Sequence, residues 1–308
     1  MLRPPWRRPS VTSWPTRRQG SARSGLYDLL VGDRQEPIDL RNSRVVAAAK
    51  LHRGAARRRA GRFLAEGANS VGAALDTGRV RELFYSAGGA AREHALIAGA
   101  AAAGVRTTLV TDRAAQALGE TVTPPGLVAV CDLVDVPLDR IVPADPGADT
   151  PRMLAVPVGI ADPGNAGTLI RVVDAVGADA VVLAGDSVDP HNGKCVRSCA
   201  GSLFHVPIVR ERETYSVLDR IEAAGIATVA TAADGELDLE EAGELFTGPV
   251  AWLFGNEAHG LDPEVARRAR HRVRIPIRGR AESLNIAAAA AICLYANSRV
   301  RHGTESAM

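Results

Sequence analysis

Short apolar runs alternate with helical segments along most of the chain, and this alternation restricts the possible folds more than any other feature. MLAVPVGI, DAVVLAG, IATVAT and PVAWLFG are typical of strands, and segments of helical periodicity lie among them. Apolar strands between amphipathic helices indicate a parallel sheet with both faces covered. We therefore predict an α/β fold over residues 152–302, with a long terminal helix over 283–299.

A smaller α/β unit precedes it, over residues 41–135. This unit is predicted to begin with a helix over 42–60 and to continue through RFLAEG, VRELFYS, VRTTLV and GLVAVCDL. Residues 136–151 concentrate proline, aspartate and glycine without any period, which predicts a linker. Residues 1–40 show no clear element, and we interpret them as a disordered basic arm or an overcalled start. Residues 303–308 are interpreted as a tail.

The chain carries its positive charge at one end. The formal net charge is +2, yet residues 1–62 hold 15 basic residues against four acidic ones, and the remainder holds 22 against 31. A basic segment on an acidic body favours an anionic partner, nucleic acid before membrane. A solvated tail with one charged helix face explains the same pattern equally well, so charge alone leaves both interpretations open.

The four cysteines are too few and too scattered for a disulfide framework, which favours a reduced compartment and a cytoplasmic protein. His191, Cys195, Cys199 and His205 resemble a metal set, but the i, i+4 spacing of the cysteines fits one helix face equally well, and we expect no metal. The first 20 residues lack the apolar core of a secretory signal. No apolar run is long enough to predict a transmembrane helix.

The sequence also argues against the common nucleotide-binding loops. Gly193 and Lys194 suggest a P-loop, but Val188 stands where its first glycine is required and Cys195 where Ser or Thr is required. No GxGxxG follows a predicted strand. Lys194 and Arg197 lie three residues apart near a helix start, which suits phosphate contact, although a surface charge pair is an equally ordinary explanation.

Three loops at predicted carboxyl ends of strands carry polar residues, and ligands bind at that edge of parallel α/β sheets. GIADPGNAGTLIR presents Asn165 as a candidate helix N-cap, with Arg171 about two turns into the helix. GNE places Glu257 directly after an apolar strand. Ser283 and Asn285 open an Ala-rich helix, with Ser283 as its candidate N-cap. Each motif alone is weak evidence, but their order is specific.

In that order, Asn-x5-Arg, GNE and IP…SLN resemble the motifs of the SpoU (TrmH-type) family of SPOUT RNA methyltransferases. The resemblance covers residues 42–302, and the amino-terminal unit is similar to the ribosomal-protein-like substrate-binding domain of many members. It implies a catalytic α/β domain with a deep trefoil knot, an exception to the rule that chains avoid knots. It also implies S-adenosylmethionine as methyl donor and a homodimer.

The resemblance assigns roles to individual residues. It implies five catalytic and RNA-facing residues: Asn165, Arg171, Glu257, Ser283 and Asn285. It implies four residues lining the cofactor site: Thr231, Gly255, Ile275 and Leu284. Six basic residues are expected to contact RNA phosphates: Arg53, Arg57, Arg58, Arg59, Lys194 and Arg197. A later run is expected to do the same: Arg267, Arg268, Arg270, Arg272 and Arg274.

The implied reaction is methyl transfer to a ribose 2′-hydroxyl of RNA, with 23S ribosomal RNA as the leading substrate. Because guanidinium is a poor proton acceptor, we expect Arg171 to hold the adjacent phosphate and stabilise developing alkoxide charge. The asparagines and Ser283 would orient the ribose, and Glu257 would order this network. Transfer RNA, a base nitrogen as methyl acceptor, and a non-catalytic RNA-binding or ribosome assembly factor of the same fold are the alternatives.

Overall fold

The computed structural model describes residues 36–305, except Val122 and Ala148. The chain forms two compact units, Met1–Leu133 and Val134–Met308. Most of the predicted basic arm, residues 1–35, and the end of the predicted tail, residues 306–308, lie outside the described residues. Within the described part, no helix has an apolar stretch of the length that a bilayer requires.

The first unit is built on a four-stranded mixed sheet of order β1-β4-β2-β3. Strand β4 pairs antiparallel with both β1 and β2, whereas β2 and β3 are parallel. The strands are β1 (Arg62–Glu66), β2 (Val80–Tyr85), β3 (Arg106–Leu109) and β4 (Leu127–Asp132). The helices are α1 (Ser43–Ala49), α2 (Gly54–Ala60), α3 (Ala68–Asp76), α4 (Ala87–Ala102) and α5 (Asp112–Leu118).

The single helix predicted over 42–60 is wrong, because the chain breaks between α1 and α2. A 3₁₀ turn, Lys50–His52, ends α1, and Arg53 is extended at φ −91° and ψ 127° before α2 begins. Arg57 stabilises the break, since its Nη1 donates to the carbonyl oxygens of Leu51 at 3.0 Å and His52 at 2.9 Å. Those carbonyls would otherwise lack an intrahelical partner.

Ile38 corrects the prediction that nothing before residue 41 belongs to the fold. Its backbone nitrogen donates to Leu109 at 3.0 Å, and its carbonyl accepts from Thr111 at 3.1 Å. These bonds form a parallel bridge with Val110 at the end of β3, and the Ile38 side chain packs against the core of this unit. A single bridging residue has no periodicity, so the sequence gives no signal for it.

The second unit contains a seven-stranded sheet of order β7-β6-β5-β10-β8-β11-β9, and every pairing is parallel, as the apolar runs predict. The strands are β5 (Met153–Pro157), β6 (Ala180–Ala184), β7 (Ile208–Glu211), β8 (Ala227–Thr231), β9 (Leu237–Asp238), β10 (Val250–Phe254) and β11 (His271–Arg274). The helices are α6 (Pro163–Val176), α7 (Gly193–Cys199), α8 (Thr214–Ala223), α9 (Pro263–Arg268) and α10 (Ile286–Glu305), with 3₁₀ turns at Leu138–Arg140, Ser202–Phe204 and Ala242–Thr247. The trefoil knot stays a prediction.

The segment over 136–151 contributes to the core of the second unit. It contains the 3₁₀ turn Leu138–Arg140, and the next two residues, Ile141 and Val142, are buried in the cluster that covers β5 and β6. The Val142 carbonyl accepts a hydrogen bond from Arg220 Nε of α8 at 2.9 Å. Part of the predicted linker is therefore packed against the second unit through Ile141 and Val142.

One element boundary near the third motif differs from the prediction. Strand β11 ends at Arg274, and α10 begins at Ile286 instead of Ser283. Residues 277–285 between them are exposed. The third motif therefore lies on a long loop that leaves the sheet beside β8.

Candidate active site

Asp162 begins α6 and places Asn165 in its first turn. The Asp162 Oδ1 atom accepts from the Asn165 backbone nitrogen at 2.9 Å, and Pro163 occupies the first helical position. The interpretation of Asn165 as N-cap is therefore wrong. The sequence contains a signal for this helix start, because an aspartate followed by proline is common at helix N-termini. Freed from capping, the Asn165 side chain faces the loops at the carboxyl edge of the sheet.

Glu257 connects the loop after β10 to the start of α6. Its carboxylate accepts hydrogen bonds from the backbone nitrogens of Ala161 and Asp162, both at 3.1 Å, and from Asn165 Nδ2 at 3.1 Å. Two loops that are about 95 residues apart in sequence are thereby joined through one side chain. The carboxylate acts only as an acceptor here, as an ionised carboxylate must.

Asn285 brings the third motif to the same place. It is the N-cap of α10, since its Oδ1 accepts from Ala287 N at 2.9 Å and Ala288 N at 3.3 Å. Its Nδ2 donates to Asn165 Oδ1 at 2.9 Å. The alternative of Ser283 as the N-cap is therefore wrong. We call Asn165, Glu257 and Asn285 the asparagine–glutamate network.

The protonation state of Glu257 follows from these bonds. Burial opposes its ionisation, but hydrogen bonds from the Asn165 amide and from backbone nitrogens outweigh burial and lower its pKa below the ordinary 4.5. An ionised Glu257 fixes the Asn165 amide with its nitrogen toward the carboxylate and its oxygen toward Asn285. The remaining N–H of Asn165 and its second oxygen lone pair are available to a ligand.

Asn256, which was not predicted to be a site residue, stabilises the GNE turn. Asn256 Nδ2 donates to the Gly159 carbonyl at 2.7 Å, and its backbone exchanges two 2.9 Å hydrogen bonds with Gly260. Gly255 is required by this turn, because a Cβ there would lie 2.1 Å from the Gly260 carbonyl carbon and the Leu261 nitrogen. The turn delivers Glu257 to the α6 start.

Arg171 and Ser283 lie outside the hydrogen-bonded network. Arg171 is exposed on α6, six residues beyond Asn165, which corresponds to about 9 Å along the helix axis. Its guanidinium has no hydrogen bond or ion pair within the described residues. Ser283 is exposed two residues before the Asn285 cap. Both side chains face solvent and can meet a large ligand.

The four predicted cofactor residues lie on loops or strand ends of three neighbouring strands. Strand β8 pairs with β10 on one side and β11 on the other, so Thr231 at the end of β8 and Gly255 and Ile275 directly after β10 and β11 lie at neighbouring strand ends. The Thr231 hydroxyl donates to the Leu253 carbonyl at 3.0 Å, and Ile275 is half-buried. Leu284 is 39% exposed, an apolar side chain open to contact.

The six predicted RNA-contacting residues divide into three groups. Arg53, Arg58 and Arg59 are exposed, and their guanidinium groups have no partner in residues 36–305 as described. Arg57 is 5% exposed and stabilises the α1–α2 break, so the prediction that it contacts RNA is wrong. Lys194 Nζ lies 2.6 Å from an Asp162 carboxylate oxygen, and Arg197 is half-buried on the same helix.

The later arginine run is largely paired with carboxylates, contrary to the expectation that it faces RNA phosphates. Arg268 bonds Asp219 and also Glu222 at 3.2 Å. Similar pairs join Arg272 Nε to Glu236 at 2.9 Å, Arg274 Nε to Asp238 at 2.6 Å, and Arg267 to Glu264 at 3.6 Å. Arg270 is exposed.

The residues that resemble a metal set point to separate partners. Cys195 and Cys199 are buried on α7, and the hydrogen bond between them, followed by burial, raises the pKa of Cys199. Buried His191 lies 3.2 Å from an Asp135 oxygen, and His205 Nδ1 lies 2.9 Å from an Asp174 oxygen. Within the described residues, no group of three or more His, Cys, Asp or Glu side chains is arranged so that it could hold a metal ion.

Comparison with known proteins matches each unit separately. Residues 152–295 match the SpoU rRNA Methylase family, and residues 42–129 match the MRM3-like substrate binding domain. The chain is 34% identical over 256 residues to the 23S rRNA (guanosine(2553)-2′-O)-methyltransferase RlmP of Bacillus subtilis, covering 83% of this chain and 96% of the relative. The chain belongs to the SpoU family.

Two further members have the same architecture. A 23S rRNA (uridine(2479)-2′-O)-methyltransferase of Streptomyces viridochromogenes is 34% identical over 80% of this chain and 85% of its own length. An AdoMet-bound rRNA methyltransferase from Sinorhizobium meliloti is 32% identical and superimposes with a TM-score of 0.72, covering 85% of this chain and 97% of that structure. This SpoU chain thus shares both units with its relatives.

Proposed function

We propose that this SpoU chain transfers a methyl group from S-adenosylmethionine to a ribose 2′-hydroxyl of 23S ribosomal RNA. The observation that carries the proposal is the asparagine–glutamate network, which joins all three sequence motifs at the carboxyl edge of the sheet. Arg171, whose guanidinium has no partner in the part of the chain that the structure describes, extends from α6, the helix that carries Asn165. Names of the Bacillus and Streptomyces relatives support 23S ribosomal RNA as the substrate.

The loops after β8, β10 and β11 fit an adenosine-containing cofactor. The exposed apolar side chains of Ile277 and Leu284 can cover an adenine ring, and the loop at Gly255 brings backbone groups close without a side chain. Thr231 and Ile275 would complete the lining. When bound, the cofactor supplies an electrophilic methyl group on a sulfonium, so the protein needs chiefly to align the attacking hydroxyl.

The network and Arg171 would contact different parts of the RNA nucleotide. Asn165 keeps a fixed amide with a free N–H and a free lone pair, which suits hydrogen bonding to a ribose hydroxyl. The ionised Glu257 prevents that amide from rotating, because both amide ends are already engaged. Arg171 would bind the neighbouring phosphate and stabilise the charge that develops on the 2′-oxygen. Ser283 would contact the same nucleotide.

The exposed arginines at and just before α2 would hold the RNA backbone. Within the described residues, Arg53, Arg58 and Arg59 present three guanidinium groups without a carboxylate partner, and such groups bind phosphates with a strong dependence on salt. Contacts of this kind position the RNA without reading its sequence. The identity of the methylated nucleotide then depends on groups other than these.

The chain is proposed to act as a homodimer in the cytoplasm, where ribosomal RNA is modified. The exposed face of α10 supports a second copy as partner, since Ile292 and Tyr295 lie three residues apart and are 41% and 61% exposed. Large apolar side chains exposed together mark interaction surfaces. Light scattering on the purified chain tests this directly, and a monomer at micromolar concentration would contradict it.

The decisive experiment for the function uses radiolabelled S-adenosylmethionine with unmodified ribosomal and transfer RNAs, followed by digestion to nucleosides. We expect label in a 2′-O-methylnucleoside of 23S ribosomal RNA, lost in the Arg171→Ala variant. Label in transfer RNA would change the substrate, and label on a base would overturn the reaction. Cofactor binding by calorimetry without transfer to any RNA would favour a non-catalytic binding factor.

A further inference from the structure

Lys194 contacts the asparagine–glutamate network indirectly, through Asp162. Its Nζ is 2.6 Å from Asp162 Oδ2, and Asp162 contacts two members of the network through its other groups. The Asp162 Oδ1 atom accepts from the Asn165 backbone at 2.9 Å, and the Asp162 nitrogen donates to Glu257 Oε1 at 3.1 Å. One aspartate therefore connects the lysine to the groups that we assign to the ribose.

Two glycines of α6 let α7 come close enough for this contact. A Cβ on Gly167 would lie 2.5 Å from the Cys195 carbonyl oxygen and 2.6 Å from the Ser198 Cβ. A Cβ on Gly164 would lie 3.1 Å from Lys194 Cε and 2.8 Å from Asp162 Oδ1. The lysine side chain thus crosses directly over the first turn of α6, and its position is defined by helix packing.

The location of this ammonium group is electrostatically unusual. A helix N-terminus favours negative charge, so a cation beside the start of α6 is unfavourable unless an anion accompanies it. Asp162 supplies that anion, and the bond from Lys194, followed by the bond from Asn165, lowers the Asp162 pKa. Because both side chains are about half exposed, at 56% and 42%, the pair contributes little to stability. Its effect is to fix the orientation of the Asp162 carboxylate.

We propose that Lys194 is a positioning residue for methyl transfer, acting through Asp162 on the placement of Asn165 and Glu257. The proposal rests on the proposed function, because it concerns the same site. With Lys194 removed, the Asp162 carboxylate is free to rotate away from its capping geometry. Asn165 and Glu257 then lose a shared support, and small displacements of orienting groups lower the rate more than they lower binding.

The competing role for Lys194 is a direct phosphate contact, as first expected from its position near a helix start. The two roles predict different kinetics. A phosphate ligand raises KM for RNA and contributes to the salt dependence of binding. A positioning residue lowers kcat while KM and the salt dependence stay the same.

The test is a double-mutant cycle with Lys194→Met, Asp162→Asn and the double variant, each measured for kcat and KM with unmodified ribosomal RNA. Asparagine caps helices about as well as aspartate, so Asp162→Asn removes the ion pair and keeps the cap. We expect each single variant to lower kcat about tenfold and the double variant to lower it no further, because both changes remove one interaction. Lys194→Arg should recover part of the rate.

Lys50→Met is the matched control, since Lys50 is the other lysine of the chain and is exposed in the first unit. We expect it to leave kcat unchanged, and circular dichroism should give all variants similar melting temperatures. Independent effects of Lys194→Met and Asp162→Asn, an unchanged kcat in Lys194→Met, or a higher KM with a weaker salt dependence would each overturn the role of Lys194. No transfer by the wild-type chain to any RNA would overturn the proposed function itself.

Discussion

Two groups of arginines in this chain look alike in sequence and differ completely in structure. Arg53, Arg58 and Arg59 in the first unit are exposed and have no carboxylate partner among the described residues. Arg268, Arg272 and Arg274 in the second unit are each bound to aspartate or glutamate. A run of arginines therefore reveals the charge of a segment, and only its neighbours in space decide whether that charge is presented to a ligand.

The difference arises from what lies beside each group. Residues 43–60 contain no aspartate or glutamate, so Arg53, Arg58 and Arg59 have no carboxylate nearby in sequence. Strand β11, in contrast, is parallel to the two-residue strand β9, and the register puts Arg274 directly opposite Asp238. The acidic segment 234–238 thereby pairs with the positive charges of Arg272 and Arg274 on β11.

The largest effect should come from Arg171, whose guanidinium has no partner among the described residues. Arg171→Ala should lower kcat/KM for RNA by about 100-fold or more, since under the proposed function it removes the charge that binds the neighbouring phosphate and stabilises the 2′-oxygen. Arg272→Ala is the matched control, because it removes an equal charge that is already bound to Glu236. If both variants lose activity equally, pairing does not distinguish functional from structural arginines.

The exposed arginines of the first unit, Arg53, Arg58 and Arg59, should determine the affinity for RNA. Replacing Arg53, Arg58 and Arg59 together with glutamine should weaken RNA binding by about tenfold or more and reduce the slope of log K against log salt by about 2, close to 0.7 per contact. Filter binding across a salt series measures both. Replacing Arg268, Arg272 and Arg274 instead should leave the slope unchanged, and an equal loss of slope would contradict the comparison.

Helix α2 contains both a buried arginine and exposed ones. Arg57 is 5% exposed whereas Arg58 and Arg59 are exposed, and Arg57 Nη1 donates to two backbone carbonyls. Arg57→Met should lower the free energy of unfolding of the first unit by about 2 kcal/mol, because buried acceptors lose their donor. Urea unfolding measures the loss. The salt dependence of RNA binding should not change, in contrast to Arg58→Met, which should change binding and leave stability intact.

Sequence patterns predicted the sheet of the second unit well, because parallel strands buried on both faces form continuous apolar runs. Strands β7 and β9 were missed, since β7 has only two apolar residues and the two residues of β9 carry no periodicity. Helix starts were also misplaced, because Asp162 competes with Asn165, and Asn285 with Ser283, and all four are good caps. Asn165, Glu257 and Asn285, three residues implied by the resemblance, meet in the network, but the bond from Asn285 to Asn165 spans 120 positions and depends on the fold.

The smallest effect concerns the paired arginines and depends on pH. The bond from Arg274 lowers the Asp238 pKa below its ordinary 3.8, so this pair contributes stability above the pKa of the unfolded chain and loses it as the pH falls through the lowered value. Arg274→Gln should therefore be slightly less stable than wild type at pH 7, with the difference shrinking toward pH 3. Urea unfolding at both values tests this. A difference that grows at low pH would mean that Arg274 stabilises the fold without Asp238, and its pairing would then not explain why it is withheld from RNA.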